Sequence, residues 1–148
     1  MSGRTVLVTG GAGYFGSVLV DQALVRGDRV RVLDLNPPDP RPDAAVEVVV
    51  GDVRDLDTVR EATEGVDVVH HNVAQVPLAR DRELFWSVNV VGTANVLLAS
   101  RDSGVAKVVS TSTSAIYGIP EQNPVDEDSP ARPLEAYGRA KLEAEVLC

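Results

Sequence analysis

Tyr137 and Lys141 stand four residues apart in the stretch A-Y-G-R-A-K-L-E-A-E of a 148-residue chain. On a helix that spacing is one turn, so the two side chains share a face. An ammonium beside a phenol favours the phenolate. That suits Tyr137 to move a substrate proton near neutral pH. Alone, the same spacing also describes an exposed helix face. Upstream, the run Ser110-Thr111-Ser112-Thr113-Ser114 places hydroxyls at the end of an apolar stretch. At the C-terminal edge of a strand, a hydroxyl lies where ligands bind in open α/β sheets.

A second set of residues suits a phosphate. Thr9-Gly10-Gly11-Ala12-Gly13-Tyr14-Phe15-Gly16 contains G-x-G-x-x-G at Gly11, Gly13 and Gly16, and G-x-x-G-x-x-G at Gly10, Gly13 and Gly16. A pyrophosphate needs backbone N–H groups at a helix N-terminus with no side chains in the way. Tyr14 and Phe15 would open such a helix. Asp34 follows eighteen residues after Gly16. A carboxylate there accepts hydrogen bonds from adenosine ribose hydroxyls and repels a 2′-phosphate, favouring NAD over NADP. The competing accounts are a glycine turn that binds nothing and a solvated aspartate at a strand end.

These groups need elements to hold them. Arg4 to Thr9, Arg29 to Leu33, Val46 to Val50, Asp67 to His70 and Lys107 to Ser110 are apolar runs that read as strands. Between them, helical spacing covers Tyr14 to Arg26 before Gly27, a helix capped by Asp55 running through Glu64, and a long helix from Glu83 to Asp102. Ala136 to Leu147 is a further helix. Asn36 to Asp43, with four prolines, and residues 118 to 135 read as loops. Strands that are apolar throughout and alternate with helices imply a parallel sheet covered on both faces. The expected fold is therefore an α/β doubly wound Rossmann sheet, with residues 1–148 forming one domain.

Composition narrows the partners. The net charge of −8 argues against non-specific binding to nucleic acid or an anionic membrane. Cys148 is the only cysteine, so there is no disulfide framework, which fits the cytoplasm. No signal peptide is read at the start. The uncharged stretch Leu84 to Ser100 carries Ser87, Asn89, Thr93 and Asn95 and reads as a buried helix, not a membrane span.

The motif order T-G-G-x-G-x-x-G, Asp34, Gly51-Asp52-Val53-Arg54-Asp55, Asn89-Val90-Val91-Gly92-Thr93, S-T-S-A-I-Y-G and Tyr137-x-x-x-Lys141 resembles the extended short-chain dehydrogenases. Within them it is most similar to the NAD-dependent epimerase/dehydratase group, which acts mostly on nucleotide sugars. The resemblance implies a catalytic set. Thr113 would hydrogen-bond the reacting oxygen and Tyr137 would be the general acid/base. Lys141 would bind the nicotinamide ribose and tune Tyr137. It also implies NAD held by Gly10, Gly13, Tyr14, Phe15, Gly16, Asp34, Asp52 and Val53, together with Tyr137 and Lys141. Asp52 would lie near the adenine, with Val53 packed beside it. Asn89 would support the site structurally.

Departures matter too. Family dehydratases carry acidic residues where Ser114 and Ala115 stand, and related epimerase-reductases carry a cysteine at Ala115. What remains is hydride chemistry at a hydroxyl or keto carbon, as epimerisation or net dehydrogenation. A sterol- or flavonoid-type dehydrogenase, or a non-catalytic NAD-binding module, are the alternatives. His71 falls on a family histidine and His70 replaces an apolar residue. Neighbours on a strand face opposite ways, and no metal is expected. Family members are about twice as long, so the expectation is a chain truncated before the substrate lobe. A helix without charge on any face needs cover on all sides. The resemblance implies that a second copy is the partner, through the 83–102 and 136–148 helices; cover from a further segment of the same chain is the alternative.

Overall fold

Valine and leucine dominate the strand runs, and β-branched side chains pack well on a pleated, buried surface. The computed structural model describes residues 3–38, 45–76 and 81–148. In chain order it forms β1 (Thr5–Thr9), α1 (Tyr14–Val25), β2 (Arg29–Asp34), β3 (Val46–Val50), α2 (Leu56–Thr63) and β4 (Val68–His71). There follow α3 (Arg82–Trp86), a π-helical turn (Ser87–Val91), α4 (Gly92–Asp102), β5 (Lys107–Ser110), a 3₁₀ turn (Ser114–Tyr117) and α5 (Ala136–Leu147). All strand pairs are parallel, in the order β3-β2-β1-β4-β5. This is the expected doubly wound Rossmann sheet. The chain leaves β1 toward β2 on one side and returns to β4 on the other. A crevice therefore opens at the carboxyl ends of β1 and β4.

The alternation of side chains along each strand splits the core in two. Leu7, Leu33 and Val69 face α2 and α4, where Val59, Ala62, Val96 and Ala99 complete a buried cluster. Val6, Val8, Val30 and Val32 face α1, against Val20 and Ala23. Full burial of each such valine or leucine is worth roughly 1.5–3 kcal/mol. Asp55 caps α2 as expected, accepting from the Asp57 N–H. Arg31 holds the other end of α2, donating to the carbonyls of Ala62 and Glu64 at 2.8 Å each. That places a cation at the negative end of the helix.

Three expectations change. The long helix is not one regular α-helix, because Ser87–Val91 widens into a π turn. The sheet is not covered on both faces throughout: on β5, Lys107 and Val109 are exposed. Nor is the 84–100 stretch buried all round within this chain. Asn89, Val90 and Val96 are buried while Trp86 and Val91 are 51% and 41% exposed. Of the expected proline loop, residues 39–43 lie outside the described residues. Among those described, no helix is long and apolar enough to cross a membrane.

Candidate functional site

The glycine loop takes its shape from Gly10. It leaves β1 with φ of 73°, a conformation costly for other residues, and its N–H donates to Leu33 O at 2.8 Å. Gly16 begins the packed part of α1, where a Cβ would sit 2.0 Å from Gly10 O. At Gly13 a Cβ would meet only Gly10 O, at 3.3 Å, and the residue is exposed. Gly16 thus lets helix and loop touch, while Gly13 leaves the backbone approachable. Tyr14 and Phe15 open α1 with exposed side chains, 91% and 53%.

Asp34, at the end of β2, accepts from the Ala12 N–H at 3.1 Å and from the Asn36 N–H at 3.2 Å. Its carboxylate braces the glycine loop and lines the cleft beside it. That cleft, of about 420 Å³, is lined by Gly10, Gly13, Asp34, Asp52 and Val53 on one side and by Asn72, Val73 and Gln75 on another. Asp52 is already engaged: Arg54 donates to its Oδ2 from Nε at 2.9 Å and Nη2 at 2.6 Å. The guanidinium hydrogen bonds hold the Asp52 carboxyl below the ordinary range. Five of the expected cofactor residues therefore meet in one cleft whose backbone wall is open where phosphates need it. The donor set fits a dinucleotide.

Thr113, Tyr137 and Lys141 lie outside that lining: Thr113 follows β5, and the other two stand on α5, which packs against the 3₁₀ turn after Thr113. Thr113 caps the 3₁₀ turn, its Oγ1 accepting from the Ala115 N–H at 3.2 Å, which leaves its O–H proton available. Gly138 brings α5 against this turn, since a Cβ there would lie 2.7 Å from Ala115 O. The sequence reading missed Gly138; its signal was a residue without a side chain directly after Tyr137. The Tyr137 ring packs edge-to-face on Phe85, centroids 6.1 Å apart. Among the described residues its hydroxyl makes no hydrogen bond. Lys141 is buried, and its Nζ donates to Thr111 O at 2.6 Å. Burial pushes its ammonium below the usual lysine range.

A buried polar chain supports both groups. Thr93 Oγ1 donates to Asn89 O at 2.7 Å, so it accepts from His71 Nε2 at 3.0 Å. His71 Nδ1 then accepts from Thr9 Oγ1 at 2.7 Å. The imidazole is neutral: burial, with the Lys141 charge adding to it, pushes His71 down to about 3. His70 is half-buried on the other face. Asn89, in the π turn, accepts from the Gln75 N–H at 2.7 Å and donates to Gln75 O at 3.1 Å. That is the structural role expected of it, since both ends of its amide grip the cleft wall.

The neutral His71 has a consequence for stability. The unfolded chain binds a proton at His71 below about pH 6.5, and the folded one only near pH 3. Its contribution is therefore complete above pH 6.5 and is lost as pH falls toward 3. Urea unfolding between pH 7 and 5 should show stability falling with acid. The slope should be shallower in His71→Gln, and equal slopes would refute the assignment.

The comparisons agree with this geometry. The model of the NAD dependent epimerase/dehydratase family matches residues 6–148. Protein y4nG of Sinorhizobium fredii is 50% identical over 146 residues, covering 98% of this chain and 36% of that one. A UDP-glucose 4-epimerase of Streptomyces lividans is 40% identical, covering 96% and 45%. The Sterol demethylase protein B of Methylococcus capsulatus is 38% identical, covering 95% and 45%. The Bordetella bronchiseptica enzyme WbmG, solved in complex with NAD and UDP, superposes with a TM-score of 0.91 at 30% identity, covering 99% and 49%. The chain thus spans about a third to a half of the proteins it matches. A glycine loop, an acid at the end of β2 and a Tyr-x-x-x-Lys helix in one sheet, with a family model matching nearly end to end, place this chain in the NAD dependent epimerase/dehydratase family.

Proposed function

We propose that residues 1–148 form the NAD-binding domain of a cytoplasmic epimerase-type enzyme acting at a hydroxyl or keto carbon, with a nucleotide sugar as substrate. The observation that carries it is the single cleft joining Gly10, Gly13, Asp34, Asp52 and Val53. Bound NAD would supply the hydride acceptor. Backbone N–H groups at Gly13, Tyr14 and Phe15 would hold its pyrophosphate, and Asp34 its adenosine ribose. Asp52, ionised and fixed by Arg54, is a ready acceptor for an adenine amino group.

The chain's own residues then handle the proton. Tyr137 takes it from the substrate hydroxyl and returns it when the carbonyl is reduced. Thr113 donates its free O–H to the reacting oxygen. Lys141 would steady the phenolate and hold the nicotinamide ribose. Support for the substrate class comes from the UDP-glucose 4-epimerase and the UDP complex of WbmG. A sterol-type substrate is the second reading, favoured by the Methylococcus relative. A homodimer through the helices spanning 83–102 and 136–148 is part of the proposal. The exposed Trp86, Val91, Val146 and Leu147 on these elements support it.

Calorimetric titration with NAD and NADP tests the cofactor. NAD should bind at least about tenfold tighter, since a 2′-phosphate would face the Asp34 carboxylate. Equal affinities would overturn the assignment of Asp34. Assays of the whole protein with UDP-glucose and with a sterol then decide between the two substrates.

A further inference from the structure

Asn72 follows β4 and lines the cleft next to Gly10. Its backbone N–H donates to Thr9 Oγ1 at 3.1 Å, and its Nδ2 donates to Thr9 O at 3.4 Å and His70 O at 3.3 Å. Its side-chain acceptor, Oδ1, reaches across to the residue after β5 and takes the Thr111 hydroxyl proton at 2.6 Å. Thr111 is thereby held at three atoms. Its N–H donates to His71 O at 3.0 Å, its hydroxyl donates to Asn72, and its carbonyl accepts from Lys141 Nζ at 2.6 Å.

That carbonyl matters because Lys141 is only 4% exposed. A buried ammonium without a partner is costly, and among the described residues Thr111 O is its only hydrogen-bond acceptor. Thr111 has already left the strand: its N–H keeps one backbone bond to His71 O, but its carbonyl belongs to the next peptide, which the strand ladder does not hold. The Asn72–Thr111 bond is the one that joins this peptide to the cleft wall.

We propose that Asn72 is a positioning residue for Lys141: by gripping the Thr111 hydroxyl it fixes the carbonyl that aims the buried ammonium. The inference rests on the role given above to Lys141, but its test requires no turnover.

The chain contains two lysines, Lys107 and Lys141. Lysine labelled with ¹³C at Cε therefore gives two resonances, and the exposed Lys107 on β5 serves as internal reference. The titratable groups around Lys141 are the neutral His71 on β4, Tyr137 one turn back on α5, and Glu145 and the following Cys148, the last two favouring the ammonium. Thr111→Val removes the hydroxyl and keeps the shape of the side chain, while Thr111→Ser keeps the hydroxyl.

The expected result in Thr111→Val is a lower titration midpoint and a broadened signal for Lys141, with Lys107 unmoved. NAD binding should weaken by about three- to tenfold, the worth of one hydrogen bond. Thr111→Ser should match the parent. Asn72→Leu should reproduce Thr111→Val, and the double variant should add nothing further, as expected for groups acting through one contact. An unmoved Lys141 resonance in Thr111→Val overturns the positioning role. If Asn72→Leu fails to fold, the two Thr111 variants decide alone. A moved Lys141 signal alongside an active Tyr137→Phe enzyme supports the clamp while overturning the catalytic reading.

Discussion

Replacing Tyr137 by Phe should lower turnover by about a hundred- to ten-thousand-fold, the usual worth of a positioned acid/base. The substitution removes one oxygen and keeps the ring. The edge-to-face contact with Phe85 at 6.1 Å therefore survives, and with it the packing that orients α5. Thr113 and Lys141 are held by other partners, namely the Ala115 N–H and the Thr111 carbonyl, and should not move. Melting temperature should stay within about 2 °C of the parent, a shift worth under 1 kcal/mol in a domain of this size. NAD affinity should change only a few-fold. A loss of turnover with stability and binding kept is the signature of a missing proton carrier. Turnover equal to the parent enzyme would remove Tyr137 from the mechanism.

The two glycines of the loop should fail in opposite ways. In Gly16→Ala the new methyl would lie 2.0 Å from Gly10 O and 2.8 Å from Gly11 Cα, both backbone atoms that cannot rotate away. The loop or α1 must shift, at a cost of about 1–3 kcal/mol. The melting temperature should fall by roughly 3–10 °C, and NAD binding should go with it because the N–H groups are displaced. In Gly13→Ala the methyl meets one atom, Gly10 O at 3.3 Å, a tight contact relieved by a shift of a few tenths of an ångström, so the melting temperature should fall far less than in Gly16→Ala. NAD affinity should still fall by about tenfold, since the methyl occupies the surface a pyrophosphate must approach. Differential scanning calorimetry and NAD titration on both variants read the contrast. Undiminished NAD binding by Gly13→Ala would show that the phosphates do not pass over this loop.

The strands and the α1, α2 and α5 helices were legible because each is specified locally. Val46 to Val50 is four valines broken only by Glu47, Asp55 is a cap that needs only its own neighbours, and Gly27 stops α1 by its freedom at positive φ. The π turn at Ser87–Val91 was not legible. Nothing in S-V-N-V-V breaks an α-helix; it is seen where the Asn89 amide grips both polar atoms of the Gln75 backbone. The same holds for Asn72, which in sequence is an unremarkable polar residue after two histidines.

By itself the sequence determined the fold class, the glycine loop, the acid at the end of β2, and the pairing of Tyr137 with Lys141 on one helical face. Each of these depends on residue type and short spacing, which the chain carries locally. Only the tertiary structure decided which contacts span the gaps: His71 neutral between Thr9 and Thr93, Gly138 pressed on Ala115, and Lys141 anchored through Thr111 to Asn72. Most of these join residues that lie twenty or more positions apart in sequence. Their partners are selected by strand order and burial, and neither is written in any local run of residues.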